Sequence, residues 1–490
     1  MVNISISDFV VAIPEIYLIL VAFIMLLFGM FQNAQDYNNN IIFFNKLSYI
    51  SVIVMLLTMV LIYSIGDTYV ETFNSLFIIS PLIYIFKLII VFLMVLICIL
   101  SRRYLIGMGF FHYEYIVVLF FFLCGNLLMI SSNDFISFYV ALELTTISTY
   151  VLIFINKSSR SSNDAGIKYF LLGALGTGFL LYGISLIYGF TGFTNFIEVK
   201  RALGAGINNW IVVIGLVLII IGLGFKLSLV PFHMWTPDVY SGVHSPMTLL
   251  LSTVSKVAIL FIFIRILWEP LLPLYPYWKH IIQILIIASA LIGFIASIYQ
   301  TNIKSFIAYS SIANMAYMLM PILVPSAAAA KNIIIYVLAY SSALIGFFGV
   351  LMLLKKDNKP IEEIYDLKGI SVNHPYLAFM ISTFLISMAG LPITAGFFGK
   401  IFILYSILGA GSYYLAGFVA LLSVVIVYFY LKVIKIIYFD TYQVNDVYSY
   451  TKKGNLDINI TVIFLFIFSI GFILFVSKIT NILDRFVLVF

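Results

Sequence analysis

Apolar positions in this chain neither alternate nor keep to one helical stripe; they run on in stretches of about twenty residues, closed by short polar or Gly- and Pro-marked gaps. A helix needs a stretch of that length to cross the hydrocarbon of a bilayer. The pattern predicts helices near 10–31, 42–64, 76–99, 114–131, 134–155, 165–189, 210–230, 246–267, 281–298, 305–323, 332–354, 374–391, 393–408, 413–438 and 457–477. If 374–408 is one span interrupted at Gly390, Leu391 and Pro392, the total is fourteen. A second interruption is expected in the seventh span, where Gly222 and Gly224 precede Lys226 and Pro231 follows. Pro231 removes a backbone donor and frees a carbonyl one turn earlier, which Ser228 or His233 could help satisfy.

The fold class is therefore an all-α polytopic membrane protein. An even number of spans puts both termini on one side. Arg102/Arg103, Lys157/Arg160, Lys304, Lys355/Lys356/Lys359/Lys368 and Lys452/Lys453 then fall in loops on one face, which the bias of basic residues marks as the cytoplasmic or matrix side. No basic residue occurs before Lys46, so the basic start of a cleaved signal peptide is missing and 10–31 is expected to remain as the first span. A shift of 167 residues lays Tyr150 on Tyr317, Leu152 on Leu319 and Tyr169 on Tyr336. Five spans separate the copies, and an odd number inverts one relative to the other, as in many transporters. Glu143 falls on Ser310 and Lys168 on Ile335, so the second copy lacks that acid and base.

Composition sharpens the class. Hydrophobic residues make up 63% of the 490, charged residues only 9%, and mean hydropathy is +1.15, which places the chain in lipid and excludes a soluble enzyme. The formal charge of +6 belongs to loop lysines and arginines that set topology, so no nucleic-acid partner is expected. Cys98 and Cys124, without a CxxC spacing or a neighbouring histidine, support neither a zinc site nor an iron–sulfur cluster.

Five ionisable residues interrupt the apolar runs: Glu143, Lys168, Lys226, Lys256 and Lys400. At a helix centre each costs roughly 2.5–3.5 kcal/mol to insert, and such residues mark ion or proton pathways. Glu143 shares a helical face with Tyr139, Thr146 and Tyr150, so that face turns inward. Lys226, beside the break in span seven, is the expected partner of the carboxylate. Lys256 stands above Thr248 and Ser252, beside Ser255, on a hydroxyl stripe suited either to water or to bonding its own backbone. Lys400 follows the Pro392 break. Lys168 lies close to a polar loop and could snorkel; Lys87, in span three, could serve structure or function. His233 and His244 follow span seven, where a histidine could gate proton entry.

The run from Asp164 to Gly192, DAGIKYFLLGALGTGFLLYGISLIYGFTG, closely resembles subunit N of proton-pumping NADH-quinone oxidoreductase, respiratory complex I. The resemblance continues in FKLSLVPFHMWTPDVY at 225–240, STVSKVA at 252–258, YSSIANMAYML at 309–319 and LPITAGFFGKIFIL at 391–404. It implies an antiporter-like subunit with two inverted five-helix repeats and discontinuous helices 7 and 12. The segments are 1–113, three N-terminal helices; 114–267, helices 4–8; 281–438, helices 9–13; and 439–490, a loop and the last helix. It implies no cofactor in this chain, with NAD, FMN, iron–sulfur clusters and quinone held by the rest of the complex. Its partners are other membrane-arm subunits and the bilayer of a bacterial inner membrane, or alternatively of a mitochondrion.

Carried over residue by residue, the resemblance makes Glu143 the acid of a switch with Lys226, Lys256 a central relay, Lys400 the route to the exit side, Lys168 a modulator of the pair and His233 a possible entry group. The family's histidine in span ten is replaced by Asn314, its usual glutamate by Asp164, and its acidic, proline-bearing loop by Ser241 to His244. Two rival readings remain: a subunit of a multisubunit sodium/proton antiporter, and a membrane scaffold whose buried lysines only specify packing.

Overall fold

The computed structural model describes residues 6–31, 37–157, 159–206, 209–356, 359–440, 448–450 and 456–487. Lys452 and Lys453 lie outside the described residues. Twelve helices there are long and apolar enough to cross a membrane: α1 (Ile13–Met30), α2 (Tyr37–Ile65), α3 (Pro81–Gly107), α4 (Glu114–Ser131), α5 (Phe135–Phe154), α6 (Arg160–Thr191), α8 (Ser245–Trp268), α9 (Tyr275–Ile298), α10 (Ile303–Leu319), α11 (Ala327–Leu353), α13 (Tyr413–Tyr438) and α14 (Leu456–Val487). Two further spans are interrupted: α7a (Trp210–Lys226) with α7b (Trp235–Gly242), and α12a (Pro375–Ala389) with α12b (Ala395–Gly409). Counting each interrupted pair once gives the expected fourteen.

Helix starts follow local chemistry. Asp134 accepts from the amides of Ile136 and Ser137 to open α5, and Asn209 from that of Ile211 to open α7a. The third span begins at Pro81, later than its apolar run suggests. Ser80 caps it, proline suits the first helical turn, and residues 77–79 form a strand, β2, antiparallel to β1 (Val70–Thr72). Its end also shifts. The helix continues through Arg102, which is buried over the ring of Tyr49 at 3.9 Å rather than lying in a loop. Lys304 moves inward too, with its ammonium donating to the carbonyl of Val243 at 2.6 Å.

The chain divides into two compact units. One holds 1–227 and 254–280, the other 228–253 and 281–490. In the first unit, α6 and α7a meet at paired glycines. A methyl on Gly183 would stand 2.7 Å from the carbonyl oxygen of Gly215, and one on Gly222 would stand 2.8 Å from that of Gly176. Small residues at this spacing let two backbones approach closely in a membrane, and Lys226 follows Gly222 by one turn. Arg265, 2% exposed, donates to the carbonyls of Ile130 and Ser132 at the end of α4 and to Glu269, satisfying helix-end acceptors that lack partners of their own. In the second unit α10 and α11 are almost wholly enclosed, whereas α13 and α14 keep most of their surface outward.

Candidate proton-handling site

In the first unit, Lys226 is the last residue of α7a and is buried. Its ammonium donates to the hydroxyl of Thr146 at 2.8 Å and stands 5.6 Å from the centre of the Tyr169 ring. Thr146 in turn donates to the carbonyl of Leu142. Glu143, half-buried one turn before Thr146, acts on Lys226 electrostatically. The carboxylate thus acts on the lysine through space, and the threonine hydroxyl takes the lysine's hydrogen bond. Lys168 lies on the exposed face of α6 next to buried Tyr169.

Lys256 is enclosed in α8, immediately after a π-turn over Leu251–Ser255. Such one-turn widenings recur at functional sites. The expected hydroxyl stripe takes the backbone-bonding option. Thr248 donates to Tyr240, and Ser252 and Thr253 both donate to Leu249, leaving oxygen lone pairs as its remaining capacity.

The second interruption holds Lys400. The helix before it ends at Ala389, where Gly390 takes φ +79°. The ammonium of Lys400 donates to the freed carbonyl of Ala389 at 2.8 Å and stands 5.0 Å from the Tyr317 ring centre. The break is fixed from both sides. The Gly396 amide donates to Ser387, and a methyl on Gly396 would overlap the Ser387 carbonyl. Asn314, at the position of the family's histidine, accepts from Tyr336 at 2.8 Å and donates to the Ser310 carbonyl. Ser310 accepts from Tyr430 at 3.0 Å.

The tyrosines that the 167-residue shift lays on one another are packed in each unit. Tyr150 and Tyr169 pack 5.3 Å apart in one unit, Tyr317 and Tyr336 6.3 Å apart in the other, and each pair includes the ring beneath a buried lysine. Each ammonium also sits at the C-terminal end of a half-helix, the negative pole of its dipole, which favours a cation.

His233 is buried in the interruption of the seventh span, with its ring hydrogen-bonded to the Pro231 backbone and Nδ1 without a partner. The Val230 amide donates to Ser289 at 3.0 Å, while the hydroxyl of Ser228 has no partner. Ser289, rather than Ser228, holds this segment, and nothing in the sequence tied it there. Among the described residues no cluster of three metal-ligating side chains occurs.

Among the described residues, fourteen spans, two of them interrupted beside a buried lysine, make an antiporter-like membrane subunit. Residues 132–426 match the family described as NADH:quinone oxidoreductase/Mrp antiporter, TM. NADH-quinone oxidoreductase subunit N of Pelagibacter ubique is 37% identical over 96% of this chain and 98% of its own length. Subunit N 1 of Rhizobium meliloti is 44% identical over 67% of this chain and 68% of its own. Among solved structures, a chain of respiratory complex I from Thermus thermophilus superposes with a TM-score of 0.79 at 23% identity, covering 96% of this chain and 98% of that one. A chain of the Mrp complex from Dietzia sp. gives 0.79 at 16%, covering 98% and 97%. The chain belongs to the NADH-quinone oxidoreductase subunit N family and is a multi-pass protein of the inner membrane.

Proposed function

We propose that this chain is a proton-translocating membrane-arm subunit of NADH:quinone oxidoreductase, built on inverted repeats at 114–267 and 281–438. Electron transfer through NAD, FMN, iron–sulfur clusters and quinone belongs to other subunits. The observation that carries the reading is the recurrence of one device, a buried lysine at a half-helix end beside a repeat-related tyrosine pair.

Charge displacement set off by quinone chemistry moves the field of Glu143 away from Lys226. The buried ammonium then loses the anion that favours its charge and releases its proton. Lys256 receives it and Lys400 passes it toward the exit. Reprotonation arrives from the basic face, with His233 as the entry group. Thr146 is the hydroxyl through which Lys226 is held near the acid. Lys168, on the outward face of α6, acts as a modulator of the pair.

Replacing Lys226 or Lys256 by alanine is expected to lower NADH-driven proton pumping and coupled quinone reduction by about a hundredfold or more, the scale expected for a lost proton-transfer group, while the complex still assembles. Acidification of inverted membrane vesicles, followed with quinone reduction and blue-native electrophoresis, checks this. Pumping at the native level with both lysines replaced overturns the relay and favours a scaffold.

A further inference from the structure

A buried ion pair lies among the N-terminal helices of the first unit. Lys87, in the second turn of α3, donates to Glu15 Oε1, in the first turn of α1, at 2.6 Å; their side chains are 6% and 4% exposed. A buried pair offsets its desolvation only when its remaining lone pairs are also satisfied. Here they are not, because Glu15 Oε2 is enclosed without a hydrogen-bond partner.

Both residues line a cavity of about 300 Å³, at the small end of ligand pockets, whose walls are mostly apolar and include Phe9, Ile16, Ile19 and Leu128. Ser131 has given its proton to the Leu127 carbonyl and Thr72 to that of Phe77, so both hydroxyl oxygens can only accept, while Lys87 spends one N–H on Glu15 and keeps others for an anion. The cavity is bounded by the starts of α1 and α3, the end of α4 and the hairpin of β1 and β2, so it lies at the membrane boundary. Its rim residues Phe9 and Ile16 are 51% and 36% exposed, on a helix surface that meets lipid in a membrane-spanning chain.

We propose that this cavity seats one phospholipid whose headgroup carries a primary ammonium. The ammonium donates to Glu15 Oε2, with the Ser131 and Thr72 oxygens as further acceptors, and the lipid phosphate turns toward Lys87. A zwitterionic headgroup thus meets a zwitterionic pair in the opposite sense, while the chains follow the apolar side of α1. A choline headgroup has the same charge but no N–H, and a glycerol headgroup has donors but no cation.

The test uses the intact oxidoreductase complex and phosphatidylethanolamine carrying a photoreactive acyl chain, with labelled peptides mapped by mass spectrometry. Label is expected within 9–19 and 72–79, displaced by unlabelled phosphatidylethanolamine about tenfold more effectively than by phosphatidylcholine or phosphatidylglycerol, the size expected for a hydrogen bond to a charged group. Ile16→Trp, which fills the cavity and leaves the ion pair intact, should remove most of this label while other labelled sites keep theirs. Should that variant fail to assemble, the competition series on the native complex decides. Equal displacement by phosphatidylcholine, or label undiminished in an assembled Ile16→Trp complex, overturns the proposal.

Discussion

The contact between Lys226 and Thr146 places a neutral hydroxyl where a carboxylate was the expected partner. Glu143 therefore biases Lys226 through space, and Thr146 fixes where the ammonium rests. Replacing Thr146 by valine keeps the shape but leaves a buried ammonium short of an acceptor, a loss of roughly 1.5–3 kcal/mol for a charged hydrogen bond. Coupled pumping in inverted vesicles should fall by about tenfold, and Thr146→Ser should restore most of it. Native pumping in Thr146→Val would mean that the hydroxyl takes no part. The buried lysines were legible in the sequence because a charge inside an apolar run is conspicuous. Their partners were not, because a threonine hydroxyl and the Ala389 carbonyl carry no signal until the chain is folded. Lys168, close to a polar loop in sequence, stands on the outward face of α6.

Proline and glycine gave the two interruptions away, whereas the π-turn before Lys256 is written in LSTVS, a run with no breaker in it. Arg102 and Lys304 were read as loop residues because the apolar runs stop short of them, and each proves to be buried against an aromatic ring or a carbonyl. The α12a–α12b break makes the strictest demand on sequence. Gly390 has φ +79°, and a methyl there would lie 2.6 Å from Cδ of Lys400. Gly390→Ala should cost about 1–2 kcal/mol for the left-handed backbone alone, and it also pushes the lysine off the Ala389 carbonyl. The expected outcome is an assembled complex with a lowered melting temperature and lowered pumping. Unchanged values of both would show that the lysine does not depend on this turn.

At the scale of the whole molecule, the fold does not by itself separate a redox-coupled pump from a sodium/proton antiporter. The complex I and Mrp chains superpose equally well, at a TM-score of 0.79. Sequence likeness names the redox-coupled family: two subunit N relatives are 37% and 44% identical. The chemistry of the site points the same way. The enclosed cations at the two helix interruptions are lysines bonded to a hydroxyl or a carbonyl, Thr146 for Lys226 and Ala389 for Lys400. A lysine ammonium carries a proton, but it offers no oxygen to replace the hydration of a sodium ion. Proton pumping driven by NADH in vesicles should therefore be the same in sodium and potassium buffers of equal ionic strength, followed by a pH-sensitive dye at matched rates of quinone reduction. A requirement for sodium at unchanged redox rate would mean that the lysines exchange protons against a second cation, and the chain would then work as an antiporter within the complex.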